Sequence, residues 1–236
     1  MNRPPLPFRY AVYFCPAPDS AWGLAGAHWL GRCAATGKVL QPIQVAEVDT
    51  HQFVKLTADP RRYGWHATLK APFKLKPHFD ASDLLMAFHQ LASSIKPFDL
   101  PTLSVSASGE FLSLRPEGDS SQINAVAAKC VEDLHSLALP LDDLDLARRR
   151  EVNLTPYQDS LLVEWGYPWV FDQYQFHFSL TGPLQGADVP TRKALFTNAE
   201  NHFANLGVCR FDRIALFIEP QSGKDFEVLK ILELAE

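Results

Sequence analysis

Residues 64–73 read GWHATLKAPF and residues 175–184 read QFHFSLTGPL, and the two stretches are copies of one pattern. A bulky apolar residue precedes a histidine, an apolar residue follows it, and then come a hydroxyl residue and a leucine. The copies are Trp65-His66-Ala67-Thr68-Leu69 and Phe176-His177-Phe178-Ser179-Leu180. Strand side chains alternate between faces with a period of two. Read as strands, the first copy turns Trp65, Ala67 and Leu69 to a core and His66, Thr68 and Lys70 to the other face. The second sorts Phe176, Phe178 and Leu180 inward and His177, Ser179 and Thr181 outward. For two of the eight histidines to carry this pattern by chance has odds on the order of a few in a thousand.

The surroundings of each copy repeat as well. Pro72 and Pro183 lie near the strand ends, and Tyr63 and Tyr174 stand three residues before each histidine. After the first copy a helix capped at Asp80 or Ser82 is expected to run to about Ile95, followed by a hairpin of 100–107 and 110–116 around Gly109. After the second, a helix from about Pro190 to Leu206, stopped by Gly207, precedes a hairpin of 213–219 and 226–234. Leu103 follows His66 by the same 37 residues that separate Ile214 from His177. The repeat argues for an internal duplication. Ahead of the first copy, 9–15 reads as a strand and Asp19 and Ser20 can cap a helix running to about Gly31 or Cys33, while 39–60 carries no clear period. Between the units, helices are expected at about 121–134, Leu144 to Val152, and from Thr155-Pro156 to Trp165.

The expected fold is therefore α+β: a duplicated, two-lobed fold in which two small antiparallel sheets face each other across a cleft, with flanking helices and a helical insertion. Residues 1–116 would form the N-terminal lobe, 117–172 the insertion and 173–236 the C-terminal lobe of one bilobed domain.

Composition bounds the function. Of 236 residues, 47% are hydrophobic and 21% charged, the balance of an ordinary globular protein. The N-terminal MNRPPLPFRYAVYFC has too short an apolar run for a signal peptide, and no stretch reaches the ~18–20 apolar residues of a membrane span. A cytoplasmic protein with no membrane contact is expected. Cys15, Cys33, Cys130 and Cys209 are scattered singly and read as reduced thiols. A net charge of −5 disfavours long nucleic acid as a partner. Against this trend, Arg61, Arg62, Lys70, Lys74 and Lys76 form an island without an acid around the first motif, which suggests a small anionic ligand.

Two histidines facing each other across a groove make an acid and base pair near neutral pH, because an unperturbed imidazole has a pKa of about 6.5. A hydroxyl two residues on can donate to an oxygen of the group the histidine works on. The duplication fits a tetrahedral phosphate: one histidine deprotonates water, the other protonates the departing alkoxide, and Thr68 and Ser179 hold the non-bridging oxygens. Neither histidine has a second ligand at a familiar metal spacing, so no metal and no cofactor are expected. The plain alternative is a pair of edge-strand histidines on a wetted face.

On these motifs the chain resembles the two-histidine phosphoesterase superfamily. The wider stretches RRYGWHATLKAPF, LARRR, LTPYQDSLLVEWGYPWVF and FHFSLTG resemble its branch associated with bacterial phosphonate metabolism. The resemblance implies metal-independent opening of cyclic phosphodiesters, with His66, Thr68, His177 and Ser179 in the catalytic and phosphate-binding positions. Ser179 stands where many relatives have threonine, which keeps the hydroxyl. Lys70, Tyr63, Tyr174 and Thr181 are candidate substrate-binding residues beside the motifs. Arg148, Arg149 and Arg150 are candidates for reaching the cleft from the insertion. The resulting expectation is a cyclic phosphodiesterase acting on a small phosphorylated substrate, such as a cyclic sugar phosphate. RNA 2′,3′-cyclic phosphate end processing or ligation and a non-catalytic phosphate sensor are the competing readings.

Overall fold

The computed structural model describes residues 6–107 and 110–235. Strand β1 (Arg9–Phe14) leads to helix α1 (Ala21–Leu30), which Ser20 caps by accepting from the Gly23 amide and which Gly31 ends in the left-handed conformation. The segment without a clear period forms two short helices, α2 (Thr50–Leu56), capped by Asp49, and α3 (Ala58–Tyr63). Next come β2 (Ala67–Phe73) and α4 (Ala81–Ser93), the latter opened by a reciprocal capping box between Asp80 and Asp83. Three short strands follow, β3 (Phe98–Asp99), β4 (Leu103–Ser106) and β5 (Ser113–Pro116). The expected turn at Gly109 lies outside the described residues.

The middle region folds as α5 (Ser121–Asp133), α6 (Asp143–Arg149) and α7 (Pro156–Trp165). Helix α7 has the Thr155 cap and proline first turn that its sequence announces, and Gln158 completes a capping box. Then come β6 (Phe178–Ser179), α8 (Val189–Phe203), β7 (Arg210–Phe211), β8 (Arg213–Glu219) and β9 (Glu227–Glu233). Among the described residues no helix is long and apolar enough to cross a membrane.

The α+β class stands, with two antiparallel sheets. The larger has the order β4-β5-β6-β2-β1-β8-β9, and the smaller pairs β3 with β7. The hairpins are exchanged between the repeated units. The second histidine strand, β6, pairs with the first unit's hairpin β4–β5, whereas β2 leads through β1 to the second unit's hairpin β8–β9. The helices cross over too: α8 packs on β4, and α4 packs on β8 and β9. The two wings meet at a single residue pair, Ala67 opposite Phe178, so the two histidine strands lie side by side at the centre.

The core face of each motif closes this joint. Trp65 stacks on Phe178 with ring centroids 4.6 Å apart and on Phe203 of α8 at 5.3 Å. Phe178 also meets Phe14 and Phe176, and all of these rings are buried. Gly26 of α1 makes room for Trp65, since a Cβ there would stand 1.9 Å from the indole. Apolar burial of this kind contributes about 25 cal/mol per Å², and here it joins residues more than a hundred positions apart in the chain. Helix α5 packs directly on β2.

Candidate active site

The polar face of the same joint is a cleft of about 560 Å³. His66 and Thr68 enter it from one wing, and His177, Ser179 and Thr181 from the other. Each histidine sits one residue before its strand, and each ring is fixed in the same way. Nδ1 of His66 lies 2.8 Å from the carbonyl oxygen of Gly64, and Nδ1 of His177 lies 2.8 Å from that of Gln175. A carbonyl only accepts, so Nδ1 carries the hydrogen in both rings and Nε2 keeps the lone pair of the neutral form. Gly64 adopts φ 79°, ψ −177°, a conformation open almost only to glycine, and a Cβ there would lie 2.3 Å from that of Ala34.

The two environments differ. His66 lies against Tyr13 at 4.1 Å between ring centroids and against Tyr63 at 5.6 Å. Burial pushes its pKa down to about 4, the Gly64 carbonyl opposes this, and the nearby His177 lowers it further. His177 lies beside Phe111 at 5.5 Å, and burial, with a smaller push from the charge of Arg115, also lowers its pKa. Both imidazoles therefore favour the neutral form in the free protein.

The remaining candidates divide. Tyr63 lines the cleft and stacks on Phe226 at 4.7 Å. Thr181 lines it as well, but it is 1% exposed and its hydroxyl accepts from the Leu112 amide at 3.0 Å, fastening the strand end. Arg148 and Arg149 reach the cleft from α6. Three candidates do not. Arg150 turns away to a two-toothed ion pair with Asp159. Tyr174 is turned back into the fold, where its hydroxyl donates to the Thr68 carbonyl oxygen at 2.8 Å.

Lys70 is the third, and its misplacement has a definite cause. The β1–β2 register slips between Val12, which faces Lys70, and Tyr13, which faces Thr68, so β2 carries an extra residue there. Such a bulge reverses the alternation. Thr68 and Ala71 line the cleft while Leu69 and Lys70 are buried, and the Lys70 ammonium donates to the Val131 carbonyl oxygen at 3.3 Å.

The cationic island dissolves in the same way. Of its five members only Arg62 lines the cleft. Arg61 donates to the Leu30 and Val54 carbonyls, Lys74 pairs with Asp145, and Lys76 donates to the Ser136 carbonyl. The positive wall is instead Arg9, Arg62, Arg148 and Arg149, drawn from β1, α3 and α6. Arg9, Tyr13, Asp59, Phe111 and Tyr167 also line the cleft. No sequence pattern marked them, because each lies in an element that reads as ordinary strand, helix or loop.

Residues 68–227 match the family described as a protein of unknown function, DUF1045. The chain belongs to this family. It is also 39% identical over 196 residues, 83% of its length, to a ribose 1,5-bisphosphate phosphokinase PhnN of Janthinobacterium sp. (strain Marseille). With the protein of that name from Laribacter hongkongensis (strain HLHK9) it shares 33% over 227 residues, 96% of its length. These matches cover 43% and 52% of the relatives, so the chain spans about half the length of the curated proteins it matches. Among solved structures, Escherichia coli LigT complexed with NADP+ superposes with a TM-score of 0.45 at 14% identity, covering 98% of this chain and 100% of that one.

Proposed function

We propose that this DUF1045 chain is a two-histidine phosphoesterase that hydrolyses one ester bond of a small cyclic phosphodiester by general acid–base catalysis. The observation that carries this reading is the matched pair of imidazoles in one cleft, each held through Nδ1 by the carbonyl two residues before it, with Nε2 left for chemistry. His66, enclosed by Tyr13 and Tyr63 and the more strongly depressed of the two, is the base. It takes a proton from water as the water oxygen bonds to phosphorus. His177 gives its proton to the ring oxygen as the P–O bond on the far side breaks, and the product is a phosphate monoester with a free hydroxyl. The hydroxyls of Thr68 and Ser179 donate to the non-bridging oxygens. A proton moved from His66 to His177 restores the starting state.

The names of the relatives support a ribose-based substrate. They bear the name of a kinase for ribose 1,5-bisphosphate, and this chain corresponds to about half of each. Opening a cyclic ribose phosphodiester yields a ribose phosphate monoester, the type of compound such a kinase takes. A cleft of about 560 Å³ is in the range of small-molecule sites, roughly 300–1,000 Å³.

The test is phosphorus NMR of cyclic ribose phosphodiesters incubated with the chain and with His66→Ala and His177→Ala. Each substitution should lower kcat by about 10²–10⁴-fold with little change in Tm, since both rings stand on the cleft face. A His177→Ala protein as active as the parent would overturn the reading.

A further inference from the structure

We propose that Arg9, Arg62 and Arg149 form a second anion subsite, so that the substrate is a cyclic phosphodiester that also carries a terminal phosphate monoester. The inference rests on the phosphoesterase reading for the reacting group and adds a recognition element on the His66 side of the cleft. The chemistry at phosphorus engages His66, His177, Thr68 and Ser179, and a cyclic phosphodiester has one negative charge. The arginines supply more positive charge than that group needs.

Glu219 is the keystone of the cluster. It is 0% exposed, and its carboxylate accepts from Arg9 Nε, from Arg62 Nη2 and from the Gly223 amide. Removing a carboxylate from water is strongly unfavourable unless it is paired and hydrogen-bonded. Here the pairing fixes two guanidinium groups on the floor of the cleft. The Phe226 ring backs both, with the guanidinium carbons of Arg9 and Arg62 at 5.8 and 5.4 Å from its centroid. Arg62 also donates to the Tyr63 hydroxyl at 3.2 Å. Each guanidinium has five N–H groups, so both keep donors for a ligand after these contacts are made.

Arg149 approaches from α6. Its guanidinium lies 5.7 Å from the Tyr167 ring, and its Nε is buried with no hydrogen-bond partner in the protein. Burial, and the adjacent charge of Arg9, push its pKa down. A cation held next to another cation with a buried donor unmet is an arrangement that an anion relieves. Arg9, Arg62 and Arg149 against the Glu219 carboxylate leave two net positive charges, and the nearby Arg148 is paired with Asp145 and adds none. That matches a phosphate monoester, whose second pKa of about 6 makes it close to a dianion at neutral pH. Tyr63 touches both Arg62 and His66, so the Arg62 end of the subsite neighbours the catalytic base.

The experiment compares a cyclic ribose phosphodiester with and without a phosphate on its free terminal hydroxyl, using the parent chain, Arg149→Gln, Arg149→Lys and Arg150→Gln. The terminal phosphate should lower KM for the parent about 10–100-fold, the value of one or two hydrogen bonds to charged groups. Arg149→Gln should erase most of that ratio, Arg149→Lys should restore part of it, and Arg150→Gln, on an arginine outside the cleft, should leave it intact. Equal KM values for the two substrates with the parent, or an equal rise on both with Arg149→Gln, would overturn the subsite. If the parent turns over neither substrate, the phosphoesterase reading fails and calorimetry with ribose 5-phosphate decides the subsite separately. Binding lost in Arg149→Gln and kept in Arg150→Gln would support it, and binding indifferent to Arg149, or none at all, would overturn it.

Discussion

The two histidines are alike in sequence and unlike in surroundings, and the difference has a pH signature. His66, under Tyr13 and Tyr63, has its pKa lowered to about 4, and His177 is lowered as well. On the proposed mechanism the base must be neutral and the acid charged in the free protein, so kcat/KM should peak on the acid side of pH 6.5 and above about 4. Bound phosphodiester brings a negative charge that favours the imidazolium, so the alkaline limb of kcat should lie at higher pH than that of kcat/KM. A maximum of kcat/KM above pH 7 would contradict this assignment. Stability has its own sign. The unfolded chain takes up a proton at His66 near pH 6.5, whereas the folded chain resists until about 4, so His66 makes folding less favourable as pH falls through that window. Urea denaturation at pH 7 and pH 4.5 should show that part of the acid loss disappears in His66→Gln.

At the scale of the element, the bulge in β2 decides what its residues do. Without it Lys70 would share the cleft face with Thr68. With it the ammonium is 4% exposed, meets the Val131 carbonyl and the face of Phe73, and has its pKa pushed down to about 8 by burial. A lysine whose folded pKa is lowered opposes folding wherever it is charged, fully below about 8 and progressively less up to its unfolded value near 10.4. Lys70→Met should therefore stabilise the protein at pH 7 by about 1–3 kcal/mol. The gain should fade as pH rises from 8 towards 10.5, with turnover retained. A loss of stability at pH 7 would show that the buried amine has a favourable role. Pro72, farther along the same strand, lacks the N–H that a ladder needs. It is accommodated because β6 pairs with β2 only at Ala67 and because the β1–β2 register shifts again between Tyr10, opposite Phe73, and Val12, opposite Lys70.

At the scale of the whole molecule, exchange of the hairpins makes each wing depend on both repeats. Within the larger sheet one residue pair connects β2 with β6, and beyond it the backbone contacts between the units include the β3–β7 pair and the Gly182 amide donating to the Leu56 carbonyl, so side chains carry much of the joint. Trp65 and Phe178 are the central contact. A double-mutant cycle of Trp65→Leu and Phe178→Leu, followed by denaturant unfolding, should show a coupling of about 0.5–1.5 kcal/mol. The same substitutions should lower kcat, because each ring is next in sequence to a histidine or flanks it. Additive effects on stability would mean that the wings are held together elsewhere.

The local elements and the pair of motifs were legible in the sequence because they are short-range properties. The caps at Ser20, Asp80 and Thr155, the stop at Gly31, and the repeated histidine pattern are each written within a few residues. The alternation also identified which side chains of the motifs enter the core and which enter the cleft, as far as Thr68 and Ser179. What only the tertiary structure decided depends on pairing between distant segments. One inserted residue in β2 sent Lys70 to the interior, and the exchange of hairpins placed β6 beside β5. Cations adjacent in the chain dispersed to carbonyls and carboxylates, while Arg9 and Arg62, far apart in sequence, met at a buried glutamate beside the cleft that Arg149 also lines. Charge density along a chain is not charge density in space, because an extended run of cations points in several directions and each finds its own acceptor. A buried carboxylate gathers its partners from any part of the chain that the fold brings within reach.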